Sequence, residues 1–146
     1  MAVKLGLDAK LFRNTAASGG PTWNEITNVR DVTLNLEAGE ADVTTRGNNG
    51  WRATVATLKD ASIEFEMVWD SEDADFTAIR DAFLDKEPIE MAVMDGLMTE
   101  PGSQGLRASF MIISFTRSEP LEEAITVSVT AKPTYSLVPP SWMTTV

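Results

Sequence analysis

Hydrophobic and polar residues alternate along most of this chain. In Ala61–Trp69, ASIEFEMVW, the side chains of Ile63, Phe65, Met67 and Trp69 fall on one face and Ser62, Glu64 and Glu66 on the other. Val32, Leu34 and Leu36 oppose Thr33, Asn35 and Glu37, and Ile125, Val127 and Val129 oppose Thr126, Ser128 and Thr130. A period of two predicts half-buried strands with one solvated face. Leu5–Phe12 and Ile89–Met94 repeat the pattern more weakly. Gly105–Thr116, GLRASFMIISFT, is apolar on both faces near its centre and is expected to be a central strand covered on both sides.

One segment changes period. In DADFTAIRDAFLDKEP, Phe76, Ile79 and Phe83 follow at i, i+3 and i+7, which makes a single helical stripe. Asp70, Glu72, Asp73 and Asp75 crowd its start, where the helix dipole favours anions; Lys86 lies near its end and Pro88 stops it. The stripe is expected to bury against the sheet. The fold class that follows is mainly β: a sandwich or barrel of about seven strands with one flanking α-helix.

Between the periodic segments, Ala16–Pro21 (AASGGP) reads as a flexible loop within one domain, residues 1–136. Residues 137–146, which are non-periodic and contain two prolines, are expected to form a flexible C-terminal tail. Arg46–Trp51, RGNNGW, is a polar, glycine-flanked loop ending in tryptophan, and Asn49-Gly50 suits the positive φ angles of a tight turn. Its Gly47-x-x-Gly50 spacing recurs at Gly102-x-x-Gly105, which reads as a second hairpin turn. Trp51 has two readings: it covers its own core edge, or it anchors an interface, where tryptophan is enriched.

Composition narrows the function. The 146 residues include 22 acids against 12 Lys and Arg, a formal charge of −10. That excess repels phosphate backbones and anionic membrane surfaces, so a DNA-gripping role is disfavoured while a role beside DNA is not. There is no cysteine and no histidine, which excludes disulfides, thiolate metal sites, imidazole zinc sites and His-dependent nucleophile pairs. No signal peptide and no apolar run of membrane-spanning length is seen, so a soluble chain folded in the cytosol is expected.

The remaining chemical candidates are weak. DSEDAD (Asp70–Asp75) lacks the glycine at position six and the glutamate at position twelve of a calcium loop; Asp75 and Asp81 stand there. Helix capping explains the run better. Glu64 and Glu66 read as a solvated strand face rather than a catalytic carboxylate pair, and no phosphate-binding loop is present. No catalytic residue, metal site or cofactor is assigned.

Beyond this, the order of several motifs carries a resemblance. Glu37–Asp70 holds Glu40, Asp42, Val43 and Thr44, then a polar loop, then Leu58, Lys59, Asp60, Ala61, Ser62, Ile63 and Phe65. This run resembles the middle of the major tail tube proteins of long-tailed, siphophage-type bacteriophages, with Thr57 where many relatives carry glycine. SEPLEEAITVSVTAKPTYS, Ser118–Ser136, resembles that family's closing strand and the corner before it. The resemblance runs to Ser136, and residues from Leu137 onward depart from the common pattern.

The resemblance implies a structural virion protein. Its subunits would form hexameric rings stacked into a tail tube that conducts DNA during ejection without binding it specifically. Its partners would be further copies of itself and other tail proteins (tape measure, terminator, distal tail), with no membrane. It would reside in the virion tail, after assembly in the host cytoplasm. Arg46, Gly47, Asn48, Asn49, Gly50, Trp51 and Arg52 would form an arm to the neighbouring ring that orders on assembly. Glu37, Glu64 and Glu66, with Thr33, Asn35 and Ser62, are expected to face a lumen whose negative charge repels the DNA backbone. Two alternatives stand beside this: a secretion-type tube protein of similar fold, and a sugar-binding β-sandwich using Trp23 or Trp51.

Overall fold

The alternating segments pair into one antiparallel sheet. A computed structural model describes residues 3–16, 20 and 22–146. Among these, the elements run β1 (Lys10–Asn14), β2 (Trp23–Glu25), β3 (Val29–Asp42), β4 (Thr54–Val68), α1 (Ala74–Leu84), β5 (Ile89–Met94), β6 (Gln104–Ser118), β7 (Thr126–Pro133) and β8 (Ser141–Thr144). The sheet order is β2-β1-β5-β6-β7-β4-β3, with β8 paired to β6 beside that path. The sheet rolls up: Leu11 on β1 and Ile63 on β4 are four strands apart in that order yet share one core. That core holds Phe65, Met67, Met91, Phe110, Val127 and Val129 from the strands and Phe76 and Ile79 from α1. A smaller cluster of Phe12, Ala92 and Met94 lies on the opposite face of β1 and β5, with Trp23, Met98 and Met143 against it.

The helix forms where its period predicts. Asp73 caps it, its carboxylate accepting from the Phe76 amide at 3.2 Å. Lys86 takes a φ of 57° just past the end, and the Glu87 amide bonds the Ala82 carbonyl at 3.0 Å, closing the last turn before Pro88. Phe76 and Ile79 are fully buried, with Phe76 edge-on to Trp69 at 4.7 Å. Phe83, expected in the same buried stripe, is only half-buried and stacks on Phe115 at 6.0 Å. A stripe at i, i+3 and i+7 drifts round the helix, and here its last member reaches the margin of the core.

Four further expectations are corrected. The strand read over Leu5–Phe12 starts at Lys10, because Gly6–Asp8 forms a 3₁₀ turn with Gly and Asp, both poor strand formers. β6 is central and, over Ala108–Phe110, buried on both faces as expected, but that cover does not reach the end of the run: Ile113 is exposed. The register slips between Ile112 and Ser114, so Ile113 is a bulge residue and the inward parity passes from Ile112 to Phe115. Gly102–Gly105 is not a second copy of the first loop. Gly102 turns with a φ of 88°, whereas Gly105 is a buried strand residue whose absent side chain lets the Val93 carbonyl approach. Lastly, residues 137–146 are not a structureless tail. β8 lies along Gln104–Arg107, in line with the place β7 vacates at Pro133, and the Trp142 indole donates to the Gln104 side chain at 3.0 Å. Four residues are too few to show a period. The expected Ala16–Pro21 loop lies outside the described residues apart from Ala16 and Gly20.

Candidate assembly interface

Register decides which polar residues meet. Residues paired across strands point to the same side of the sheet. Thr33 pairs with Glu64, Glu64 with Thr130, and Thr130 with Ser114; Asn35 pairs with Ser62, and Glu66 with Ser128. The expected lumen residues Thr33, Asn35, Ser62, Glu64 and Glu66 therefore share one polar face across β3, β4, β7 and β6. Glu37 joins it opposite Asp60, so two carboxylates stand directly across the strand pair. Like charges so placed repel, and Lys132 lines the same shallow groove. Arg30, at a bulge in β3, reaches Glu66 at 3.5 Å. Lys132 and Arg30 were missed in the sequence because their neighbours on this face come from other strands.

β3 and β4 do not end with that face. From Asn35 to Asp42 and from Thr54 to Asp60 every residue is exposed, although the pairing continues to Asp42 opposite Thr54. Beyond the body, this two-stranded arm extends roughly 20 Å at about 3.3 Å per residue. A second bulge interrupts it between Ala38 and Glu40, where a side chain on Gly39 would collide with the Thr57 hydroxyl. Beyond the bulge Ala41 pairs with Val55 on the side that carries Asn35 and Glu37 nearer the body, so apolar character changes sides. Leu36, Val43, Val55 and Leu58 are exposed large hydrophobics on the arm.

The arm tip holds Arg46, Gly47, Asn48, Asn49, Gly50, Trp51 and Arg52 together. Arg46–Asn48 forms a 3₁₀ turn, followed by Asn49 (φ 53°) and Gly50 (φ 83°), the two positive values that this dipeptide suits. The Trp51 amide donates to the Asn48 carbonyl, and the Asn48 side chain donates to the Trp51 carbonyl, both at 3.0 Å. Below the turn, the Ala53 amide donates to the Thr44 hydroxyl at 2.9 Å, and the Thr44 amide to Asp42 Oδ1 at 2.9 Å. Hydrogen bonds from the Thr44 hydroxyl and amide hold the Asp42 carboxyl below the usual carboxylate range. Trp51 is 76% exposed and packs on no core, which removes the reading in which it covers its own core edge. Trp23, by contrast, is half-buried beneath Arg107, whose guanidinium sits 5.0 Å from its ring.

The acids at the start of the helix serve the body rather than a ligand. Asp75 is buried; its Oδ1 accepts from the Arg13 guanidinium at 2.8 Å, and the Asn24 side chain donates to both its oxygens at 2.8 and 3.0 Å. This fastens α1 to β1 and β2. A second ion pair joins Glu90 to Arg107 on β5 and β6. Neither pair was visible in the sequence, where the partners lie 62 and 17 residues apart.

Comparison with known proteins places this architecture. The tail of an empty gene transfer agent particle, solved with C6 symmetry, contains a chain 21% identical, covering 99% of this chain and 100% of that one at a TM-score of 0.73. A chain of the native gene transfer agent virion is 20% identical, covering 97% and 99% at a TM-score of 0.73. The SPP1 tail tube subunit is 18% identical, covering 89% of this chain and 75% of that one at 0.70. These likenesses show the fold. Among individually curated proteins no sequence match was found. The family model of the phage tail tube protein matches residues 9–136, nearly the whole body described above. The role it describes is structural and not enzymatic. By that match, this chain belongs to the phage tail tube protein family.

Proposed function

We propose that this chain is the repeating subunit of a tail tube: six copies form a ring, rings stack, and DNA leaves through the channel. The observation that carries this reading is the continuous polar, acid-rich face of β3, β4, β7 and β6 beside an arm that its own body leaves uncovered. Both lateral edges of that four-stranded face are open. β3 ends the sheet, and β6 beyond Phe110 pairs with no strand on its β5 side among the described residues. Open edges of this length invite strand pairing with another copy, and a ring of six would close them all. The C6 symmetry of the similar gene transfer agent tail supports six.

In such a ring the polar face, with Glu37, Glu64 and Glu66, lines the channel. Carboxylates there repel the DNA phosphates over about one Debye length, roughly 8–10 Å, and so keep DNA from adhering. Residues 46–52 reach the next ring, and the ends of the tube meet the other tail proteins. The protein is assembled in the host cytoplasm and ends in the virion tail.

The test is electron microscopy of the purified protein beside a variant in which Arg46–Gly50 is replaced by a two-residue turn. The wild type forms tubes or six-fold rings. The variant keeps its β circular dichroism and cooperative melt but forms no long tubes. A wild type that stays monomeric at high concentration overturns the assembly reading. Tubes from the shortened variant show that the loop is only a turn.

A further inference from the structure

The arm tip differs in charge from the protein that carries it. Between Val43 and Lys59 there is no Asp or Glu, and the charged residues are Arg46, Arg52 and Lys59, in a chain whose net charge is −10. None of the three makes an ion pair among the described residues, and Trp51 stands exposed between the two arginines. Tryptophan and arginine are the residues that anchor interfaces most often.

Elsewhere on the same molecule is a site of opposite character. Where the C-terminal end of α1 turns back into β5, a groove of about 440 Å³ opens between the helix and the end of β1. Asp81, Asp85, Glu87 and Tyr135 contribute to its walls, along with Arg13. Arg13 is engaged by Asp75, and Asp81 by Arg80 at 3.1 Å. Asp85 and Glu87 make no ion pair among the described residues, so the groove keeps a negative rim. Tyr135 is 92% exposed beside them, and Leu84, next to Asp85, is 65% exposed.

The geometry points to this groove as the receptor for the arm tip of a second copy of the chain, with Trp51 against Tyr135 and Arg46 and Arg52 against Asp85 and Glu87. This rests on the tube reading and specifies its inter-ring contact. Within one molecule the match has no use, because the hydrogen bonds of the tip run within residues 42–53 and, among the described residues, none ties it to the body. Between molecules, it brings opposite charges together in a protein whose copies otherwise repel. Exposed ion pairs alone contribute little, so the burial of Trp51 is what gives the contact strength, and the charges set its register.

The chain has no cysteine, which makes pairwise cross-linking unambiguous. Gly47→Cys and Leu84→Cys variants are mixed, assembled and treated with a short bismaleimide, beside a Gly47→Cys and Glu64→Cys mixture. The expected result is a covalent dimer in the first mixture, at least tenfold more abundant than in the second. Charge reversal gives an independent reading. Arg46→Glu with Arg52→Glu, and separately Asp85→Lys with Glu87→Lys, each reduce tube mass at least tenfold, and the fourfold variant regains most of it. If tubes form but Gly47→Cys fails to link to Leu84→Cys, or links better to Glu64→Cys, the docking site is wrong while the tube reading stands. If the fourfold variant assembles no better than its parents, the pairing of charges is overturned. If the wild type forms no tubes at all, the tube reading itself falls, and this inference with it.

Discussion

Strands β3 and β4 have two halves that share one ladder and little else. Near the body, Val32, Leu34, Ile63, Phe65 and Met67 turn inward to the core while Thr33, Glu64 and Glu66 turn outward. Further along, the same two strands stay paired to Asp42 and Thr54 with every side chain exposed. Backbone pairing by itself is therefore enough to continue the ladder but not to bury anything. An isolated two-stranded ribbon is marginal in water, so the arm borrows its order from the sheet at its base and from the bonds at its tip. The body half is built for stability. The arm half buries nothing against its own subunit.

Substitutions in the two halves separate stability from assembly. The largest effect is expected at the core. Phe76→Ala removes a fully buried ring and its contact with Trp69, and should cost about 3–5 kcal/mol in urea unfolding of the subunit. Trp51→Ala on the arm should change subunit stability by less than about 0.5 kcal/mol, yet abolish long tubes. If Trp51→Ala destabilises the monomer as Phe76→Ala does, the contrast between the halves is lost.

Next comes the buried ion pair that joins the helix to β1 and β2. Asp75→Ala leaves the Arg13 guanidinium without its partner in a mostly buried setting and should cost about 3 kcal/mol, measured by the same unfolding curve. An effect below about 1 kcal/mol would mean that solvent replaces the carboxylate freely. Phe83→Ala should be milder, about 1–2 kcal/mol, because the ring is half-buried and retains mainly its stack on Phe115. A loss as large as that of Phe76→Ala would place Phe83 in the main core after all.

The smallest effect lies at the arm tip. The Asp42 carboxyl is held below its ordinary value by the Thr44 hydroxyl and amide. A carboxylate with a lowered folded value contributes stability above its unfolded value, near 3.9, and loses it as pH falls through the folded value. Acidification below about pH 4 should thus lower the protection factors of the Thr44 and Ala53 amides, taken against unstructured amides at the same pH, while core amides of β6 stay protected, and Asp42→Asn should remove that pH dependence. A protection factor at Thr44 that does not respond to acid would show that the tip is held by its backbone turn alone.

Much of the body was legible in the sequence because a period of two appears wherever one face of a strand is buried. That holds for Ala61–Trp69 and Ile125–Thr130, and the change to helical spacing marked α1. It fails where burial stops or parity changes. The outer halves of β3 and β4 bury nothing, so no alternation announced how far they run, and nothing in the apolar run of β6 announced that its two-sided cover over Ala108–Phe110 ends at the bulge at Ile113. The candidate assembly surface was legible only in part. Trp51 stood out by type and setting, and Glu64 and Glu66 by parity, whereas Lys132, Arg30 and the groove at Asp85 and Glu87 needed the fold to gather residues from separate elements.

The sequence by itself determined the mainly β character, the helix α1 and its cap, the positive φ angles at Asn49 and Gly50, and the absence of thiol and imidazole chemistry, because each depends on residue type and near neighbours. Only the tertiary structure decided that Trp51 is left bare, that Asp75 holds Arg13 and Asn24, and that β8 fills the place beside β6. These outcomes depend on which strands meet and in what register, and such contacts join residues far apart in the chain whose spacing carries no trace of the pairing.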